Sequence, residues 1–318
     1  MLSRVADSLY WMSRYLERAE HTARLLEVNL SLMLDESSTS SEHRWLRVLR
    51  ALGKPRDVEW NDDPEALTRL LSFGTNVHAS IVRCIVAARE NSRHVREQIS
   101  TEQWHRLNSL YLQVTKPSIA DEMESSEFLQ MVMDTIHQFQ GITDSTMSHG
   151  EGWQFIQVGR FIERATATAM LLEAYHDDLW VHPERIPEGS EYLEWMGLLR
   201  SATAFEAYCK VYTADLTPNQ ILEFLLLDEQ FPHSLRFAID SMQCALNAIQ
   251  RESGKSRADA LHRLAGRLSA QLSYSGIDDI LHQDVVAALR NIQIQCREIH
   301  RMIYELYVDY SVQTALAS

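Results

Sequence analysis

Apolar residues recur at alternating spacings of three and four from the start of the chain: Leu2, Val5, Leu9, Met12, Leu16, Ala19, Ala23, Leu26, Leu30 and Met33. That period predicts one long helix of roughly 50 Å, at about 1.5 Å per residue. Arg14, Glu17, Arg18 and His21 fall off this seam, on the side that an amphipathic helix usually gives to water. Tyr10, Trp11, Leu25 and Val28 share that side with them. Apolar neighbours all round predict that these charges lie inside the protein, where each needs a partner.

Residues 155–174 nearly repeat residues 9–28, with nine of twenty positions identical at a shift of 146. Arg14, Glu17 and Arg18 return as Arg160, Glu163 and Arg164, and Ile156, Ala167, Leu171 and Ala174 surround them. A weaker match pairs residues 93–96 with 233–236. An internal period of this kind is read before anything else, because it sets the architecture. It predicts two related halves, 1–148 and 149–318, about an approximate two-fold axis within one domain, with the two Arg-Glu-Arg helices meeting at the centre.

The rest of the chain is helical in pattern. A polar loop over 35–41 precedes a short helix over 42–52, which Gly53 and Pro55 end. Asn61, Asp62, Asp63 and Pro64 form a start signal. Helices are then expected over 76–99, from Thr101 with Glu102 as its cap, over 125–147 and on through the second copy to about 179. A loop reading WVHPERIPEG (180–189) leads to helices over 191–213, from Thr217-Pro218, from Phe231-Pro232 to about 251, over 256–273 and over 279–309. No alternating strand pattern competes with them. The expectation is an all-α bundle of about nine to eleven helices.

Only 11 Gly and 7 Pro in 318 residues agree with long helices and few tight turns. A net charge of −14, with no basic block interleaved with aromatics, argues against nucleic acid and against an anionic membrane surface. The absence of a signal-peptide pattern and of a transmembrane-length apolar run places the chain in the cytoplasm as an expectation. Cys84, Cys209, Cys244 and Cys296 have no CxxC spacing and read as reduced, buried packing thiols.

Two clusters are candidates for binding. The doubled R-x-x-E-R sets Arg14, Glu17 and Arg18, and likewise Arg160, Glu163 and Arg164, on one helical flank with a joint charge of about +2. Guanidinium forks suit a carboxylate or a phosphate. The competing reading is a closed ionic network that fixes helix register. Arg89, Arg93 and Arg96 share a second face, either as a solvated charge run or turned inward towards Glu17 and Glu163. Glu102/His105, Glu173/His176, Asp134/His137, Asp259/His262 and Asp279/His282 have the i,i+3 spacing of helical metal ligands. About two such pairs are expected by chance at this composition, and i,i+3 pairing is also ordinary helix stabilisation, so five is a modest excess and no metal site is assigned. No G-x-S-x-G, glycine-rich phosphate loop or H-E-x-x-H is present.

The stretches MLSRVADSLYWMSRYLERAEHTARLL, GWQFIQVGRFIERA, ARENSRHVREQIS and FLLLDEQFPHSLRF resemble the bacterial alpha-E family over essentially the whole chain. Ser13 stands where that family often has Gly, which Gly159 keeps, and Thr166 stands where the first copy has Glu20. The resemblance implies an all-helical partner of a circularly permuted ATP-grasp ligase, with transglutaminase-like peptidases as companions, in ATP-dependent peptide or amide-bond modification. ATP and Mg would then come through the ligase, with no cofactor held by this chain. An acidic peptide or acyl phosphate would meet the Arg/Glu cluster, and a homo-oligomer is a further candidate assembly. A non-catalytic scaffold and an independent metal-dependent bundle enzyme are the alternatives.

Overall fold

A computed structural model describes residues 1–34, 40–55, 58–182, 189–213, 215–253 and 259–308. The expected loop residues 35–39 and 183–188, the Gly254 break, the start at Ser256 and the end at Asp309 lie outside them. The described residues form α-helices with no strand.

Two long helices make the centre: α1 (Ser3–Leu34) and α8 (Glu151–His176). The seam of α1 is fully buried over its middle, from Leu9 through Leu26, and emerges at Leu2 and Met33. Tyr10, Leu25 and Val28 on the opposite side are buried too, so α1 is enclosed almost all round. α2 (Ser41–Ala51) lies against both central helices, and α3 (Pro64–Phe73) begins behind Asp63, whose carboxylate accepts the Ala66 N–H. α4 (Ile81–His94), α5 (Thr101–Val114), the single turn α6 (Ile119–Glu122) and α7 (Ser125–Thr146) precede α8, with α4 and α7 packed on α1.

After α8 a π-turn (Asp177–Val181) leads on to α9 (Glu191–Ser201), α10 (Phe205–Tyr212) and α11 (Pro218–Leu227). α12 (Leu235–Ser253), α13 (Asp259–Tyr274), α14 (Ile277–Leu281) and α15 (Val285–Ile303) follow. α12 and α15 pack on α8 as α4 and α7 pack on α1, and α13 joins α12 as α5 joins α4. Among the described residues no helix is long and apolar enough to cross a membrane.

Among the described residues, fifteen α-helices replace the expected nine to eleven because several continuous patterns break locally. The stretch 191–213 splits where Thr203 adopts a left-handed backbone, φ 54°. The stretch 279–309 splits at Asp284, whose side chain caps α15 by accepting the Ala287 N–H. α4 is shorter than expected because Ser80 caps it, and α5 is capped by Ser100 and Gln103 rather than by Thr101 and Glu102. Residues 93–94 end α4 whereas Leu235 begins α12, so the weaker sequence match joins opposite ends of two helices.

Candidate functional site

The central helices touch at Ser13 and Gly159. A Cβ on Gly159 would stand 2.3 Å from the Tyr10 carbonyl oxygen and 2.2 Å from Ser13 Oγ, so only glycine lets the two backbones approach this closely. That approach brings the charged flanks together in a crossed arrangement. Glu163 accepts Arg14 Nε on Oε2 and Arg18 Nε on Oε1, both at 2.7 Å. Glu17 in turn accepts Arg164 Nε at 2.5 Å and Arg164 Nη2 at 3.1 Å. Each carboxylate is therefore held by arginines of the opposite helix. Burial alone would raise the pKa of Glu163, but Arg14 and Arg18 outweigh it and hold it at about 2. Glu163 likewise raises both arginines above their ordinary value, against the opposing effect of burial.

The two ends of this crossing differ. Around Arg14 the structure is closed: Trp11 lies 4.7 Å from the guanidinium, and Arg14 Nη1 donates to the Tyr10 hydroxyl at 3.3 Å. The Tyr10 oxygen is also 2.8 Å from His300 Nδ1, whose pKa burial and Arg14 lower to about 4. His300 is therefore neutral, and the direction of its hydrogen bond with the Tyr10 hydroxyl is set by its tautomer.

Around Arg160 the structure is open. Its Nη2 donates to Gln140 Oε1 at 2.8 Å, while its buried Nε has no hydrogen-bond acceptor and lies 3.8 Å from Glu17 Oε2. Burial and the adjacent Arg164 pull the Arg160 pKa down, a tension that an anion would relieve. Gln157 occupies the place that Trp11 holds in the first copy. A groove of about 620 Å³ opens there between α8 and α12, with Arg160, Arg164, His149 and Arg251 in its lining against one carboxylate, Asp144.

His21 lies next to this cluster but adds no free charge, because burial lowers its pKa and its Nε2 has no partner. Glu20 beside it pairs with Arg24 and approaches His137 at 3.4 Å. Arg89, Arg93 and Arg96 stand apart on α4 and its C-terminal end. Arg89 and Arg93 pair with Glu90, and Arg89 and Arg96 lie over the Trp104 ring of α5. They do not turn inward to Glu17 or Glu163. Glu173 is taken by Arg290 and Gln293, both at 2.7 Å, and His262 by Asn247 at 3.0 Å. Among the described residues no group of three His, Cys, Asp or Glu side chains is placed to hold a metal ion. Cys84 and Cys296 are buried as expected, but Cys209 is half-buried and Cys244 is exposed, on a face of α12 that lines the groove.

A second ionic network was not foreseen from the sequence. Arg44 donates to Glu194 Oε1 from Nη2 (2.8 Å) and Nε (3.1 Å), and to the Leu32 carbonyl from Nη1 (2.9 Å). Arg47 bonds Glu194 and Asp178 and lies 4.1 Å from the centre of the Tyr175 ring; Arg50 reaches Asp178 at 2.7 Å. Glu194 is fully enclosed, with Arg44 and Arg47 almost as deep. The signal was R-x-x-R-x-x-R at 44–50 among Trp45, Val48 and Leu49.

The sequence model of Alpha-E, a predicted alpha-helical domain with a conserved ER motif, matches residues 1–308. The chain belongs to the Alpha-E family. The Glu-Arg dipeptides 17–18 and 163–164 fit the ER motif of Alpha-E and are the residues that cross-link α1 and α8. Uncharacterized proteins of Mycobacterium bovis and Mycobacterium tuberculosis are 23% identical over 93% of this chain. The Alpha-E chain spans 36% of the length of those relatives. No solved structure matches it.

Proposed function

We propose that this Alpha-E chain is an anion-recognition module that works beside a circularly permuted ATP-grasp ligase in peptide or amide-bond modification. The ligase supplies ATP and Mg, and the groove over Arg160 and Arg164 holds the carboxylate or acyl-phosphate end of the substrate. The observation that carries the reading is the open end of the crossing. Arg160 is half-buried, only partly paired and open to a groove rich in arginine in an acidic protein. The partner is what the family resemblance implies, and relatives much longer than this chain are in keeping with a module that acts alongside other domains.

Within this proposal the halves 1–148 and 149–318 descend from one duplicated unit of a single domain. The parallel packing of α4 and α7 on α1, and of α12 and α15 on α8, supports that reading, as do the caps at Ser80 and Ser234 that open α4 and α12. After divergence one copy kept its arginine end closed with Trp11 and the other opened it.

A test is to co-express the chain with a circularly permuted ATP-grasp ligase of the same organism, purify the complex and measure product formed from ATP and peptide. Arg160→Gln should leave the complex intact and cut product yield at least about tenfold, the loss of one charge-assisted contact. Full yield from that variant would refute the site. A scaffold role is the second reading, favoured by the closed pairing of Glu163; it gains if the complex forms but Arg160 proves dispensable.

A further inference from the structure

The shape and charge of the groove go further than a general affinity for anions. α8 and α12 run antiparallel along it: Phe161 meets Phe237 at one end, with ring centroids 5.9 Å apart, while Gly150 faces Glu252 at the other. The basic lining residues divide between these ends. Arg160 and Arg164 lie near the phenylalanine pair, and Arg251 and His149 lie at the far end, where His149 stacks on Trp153 at 4.2 Å. Between them the α12 wall carries only small side chains, Ser241, Cys244, Ala245 and Ala248, and the other wall carries the side-chain amides of Gln154 and Gln157.

Two buried donors in this lining have no acceptor, Arg160 Nε and Trp153 Nε1. Their residues are seven apart on one helix, hence on the same face with backbone positions about 10.5 Å apart along the axis. One small anion does not span that length. An extended peptide does, with about three residues at roughly 3.3 Å each. The count of donors at Arg160 also matters. Arg164 is committed to Glu17 and to the Pro232 carbonyl, and Arg160 has given Nη2 to Gln140. What remains suits the two oxygens of a planar carboxylate better than the three of a phosphoryl group.

We infer that the groove takes a free, extended peptide of about three to four residues, with a carboxylate towards each end and small or apolar side chains between. This rests on the anion-site reading above and specifies its substrate class. One carboxylate sits at Arg160, a backbone carbonyl accepts from Trp153 Nε1, and the second carboxylate lies under Arg251. Gln154 and Gln157 pair with the peptide backbone while the side chains in between face the alanines of α12.

The experiment is calorimetric titration of the full chain with the tetrapeptide Glu-Ala-Ala-Glu. Comparison ligands are its all-neutral Gln-Ala-Ala-Gln amide, acidic peptides of two to six residues, and inorganic phosphate. The acidic tetrapeptide should bind at least about tenfold more tightly than the neutral amide, the dipeptide or phosphate. Arg251→Gln, a change at an exposed side chain, should weaken it about tenfold with an unchanged melting temperature. Binding indifferent to peptide length, or phosphate binding as well as the tetrapeptide, overturns the peptide inference and leaves the anion site standing. Preference for a six-residue peptide overturns the stated length and points to the acidic tail of a protein. No binding of any anion sinks both.

Discussion

Replacing Glu163 with glutamine removes the charge that Arg14 and Arg18 share while leaving the side chain nearly isosteric. Glu163 is held at about 2 instead of its ordinary 4.5. At about 1.4 kcal/mol per unit, that difference corresponds to roughly 3 kcal/mol of stability. The value agrees with the lower end of the roughly 3–5 kcal/mol lost when one member of a buried pair is removed, and glutamine still offers one acceptor oxygen. Because the folded pKa is the lower one, this stability is fully present above about pH 4.5 and is lost as the pH falls towards about 2. Denaturant unfolding of the parent and Glu163→Gln should therefore differ by about 3 kcal/mol at pH 7, with the gap narrowing steadily between about pH 4.5 and 2. A gap under about 1 kcal/mol at pH 7, or one that does not change with acid, would refute the view that this carboxylate is anchored by its charge.

Other sites give sharper structural tests. Gly159→Ala should destabilise the fold by about 1–3 kcal/mol, since its new methyl meets the backbone of α1 and cannot rotate away; an unchanged melting temperature contradicts the close crossing. Arg47→Met should cost about 1.5–3 kcal/mol, since Glu194 keeps Arg44 and Asp178 keeps Arg50 but each loses a charge-assisted contact, and a loss under about 0.5 kcal/mol would show that Arg47 is dispensable to the network. Iodoacetamide should label Cys244 in the native protein but not Cys84 or Cys296. Burial pushes both of those thiols up to about 12 and shields them from the reagent. Peptide mapping showing Cys84 or Cys296 modified before unfolding would count against the packing described.

The α1 and α8 helices were legible in the sequence because both tests of burial agreed. Apolar residues lay on both sides of Arg14, Glu17 and Arg18, and the same pattern returned 146 residues later. What periodicity could not show was which helix each arginine serves. Crossed pairing depends on the axis separation that Gly159 permits, a three-dimensional distance. Arg44, Arg47 and Arg50 escaped for a related reason: their carboxylates, Asp178 and Glu194, come from segments more than a hundred residues away. For Arg89, Arg93 and Arg96 the sequence left two readings, a solvated charge run or a turn inward, and Glu90 and the rings of α5 proved the nearer partners. Breaks at Thr203 and Asp284 were hidden inside good helical patterns because a single residue's backbone or cap outweighs local propensity. The groove was the least legible feature, since it exists where a large side chain is absent and Gln157 stands in the place of Trp11.

The comparison that tests the account most directly is Arg160→Gln against Arg164→Gln, each measured for unfolding free energy and for product formed with the proposed ATP-grasp ligase. Arg164 closes the crossing through Glu17, whereas Arg160 faces the groove with Glu17 beyond hydrogen-bond reach. Arg164→Gln should lose about 3 kcal/mol of stability. Arg160→Gln should stay within about 1 kcal/mol of the parent while losing at least about nine-tenths of its product. Equal destabilisation by both changes, with product falling only as far as folded protein falls, would contradict an open anion site and leave a purely structural network.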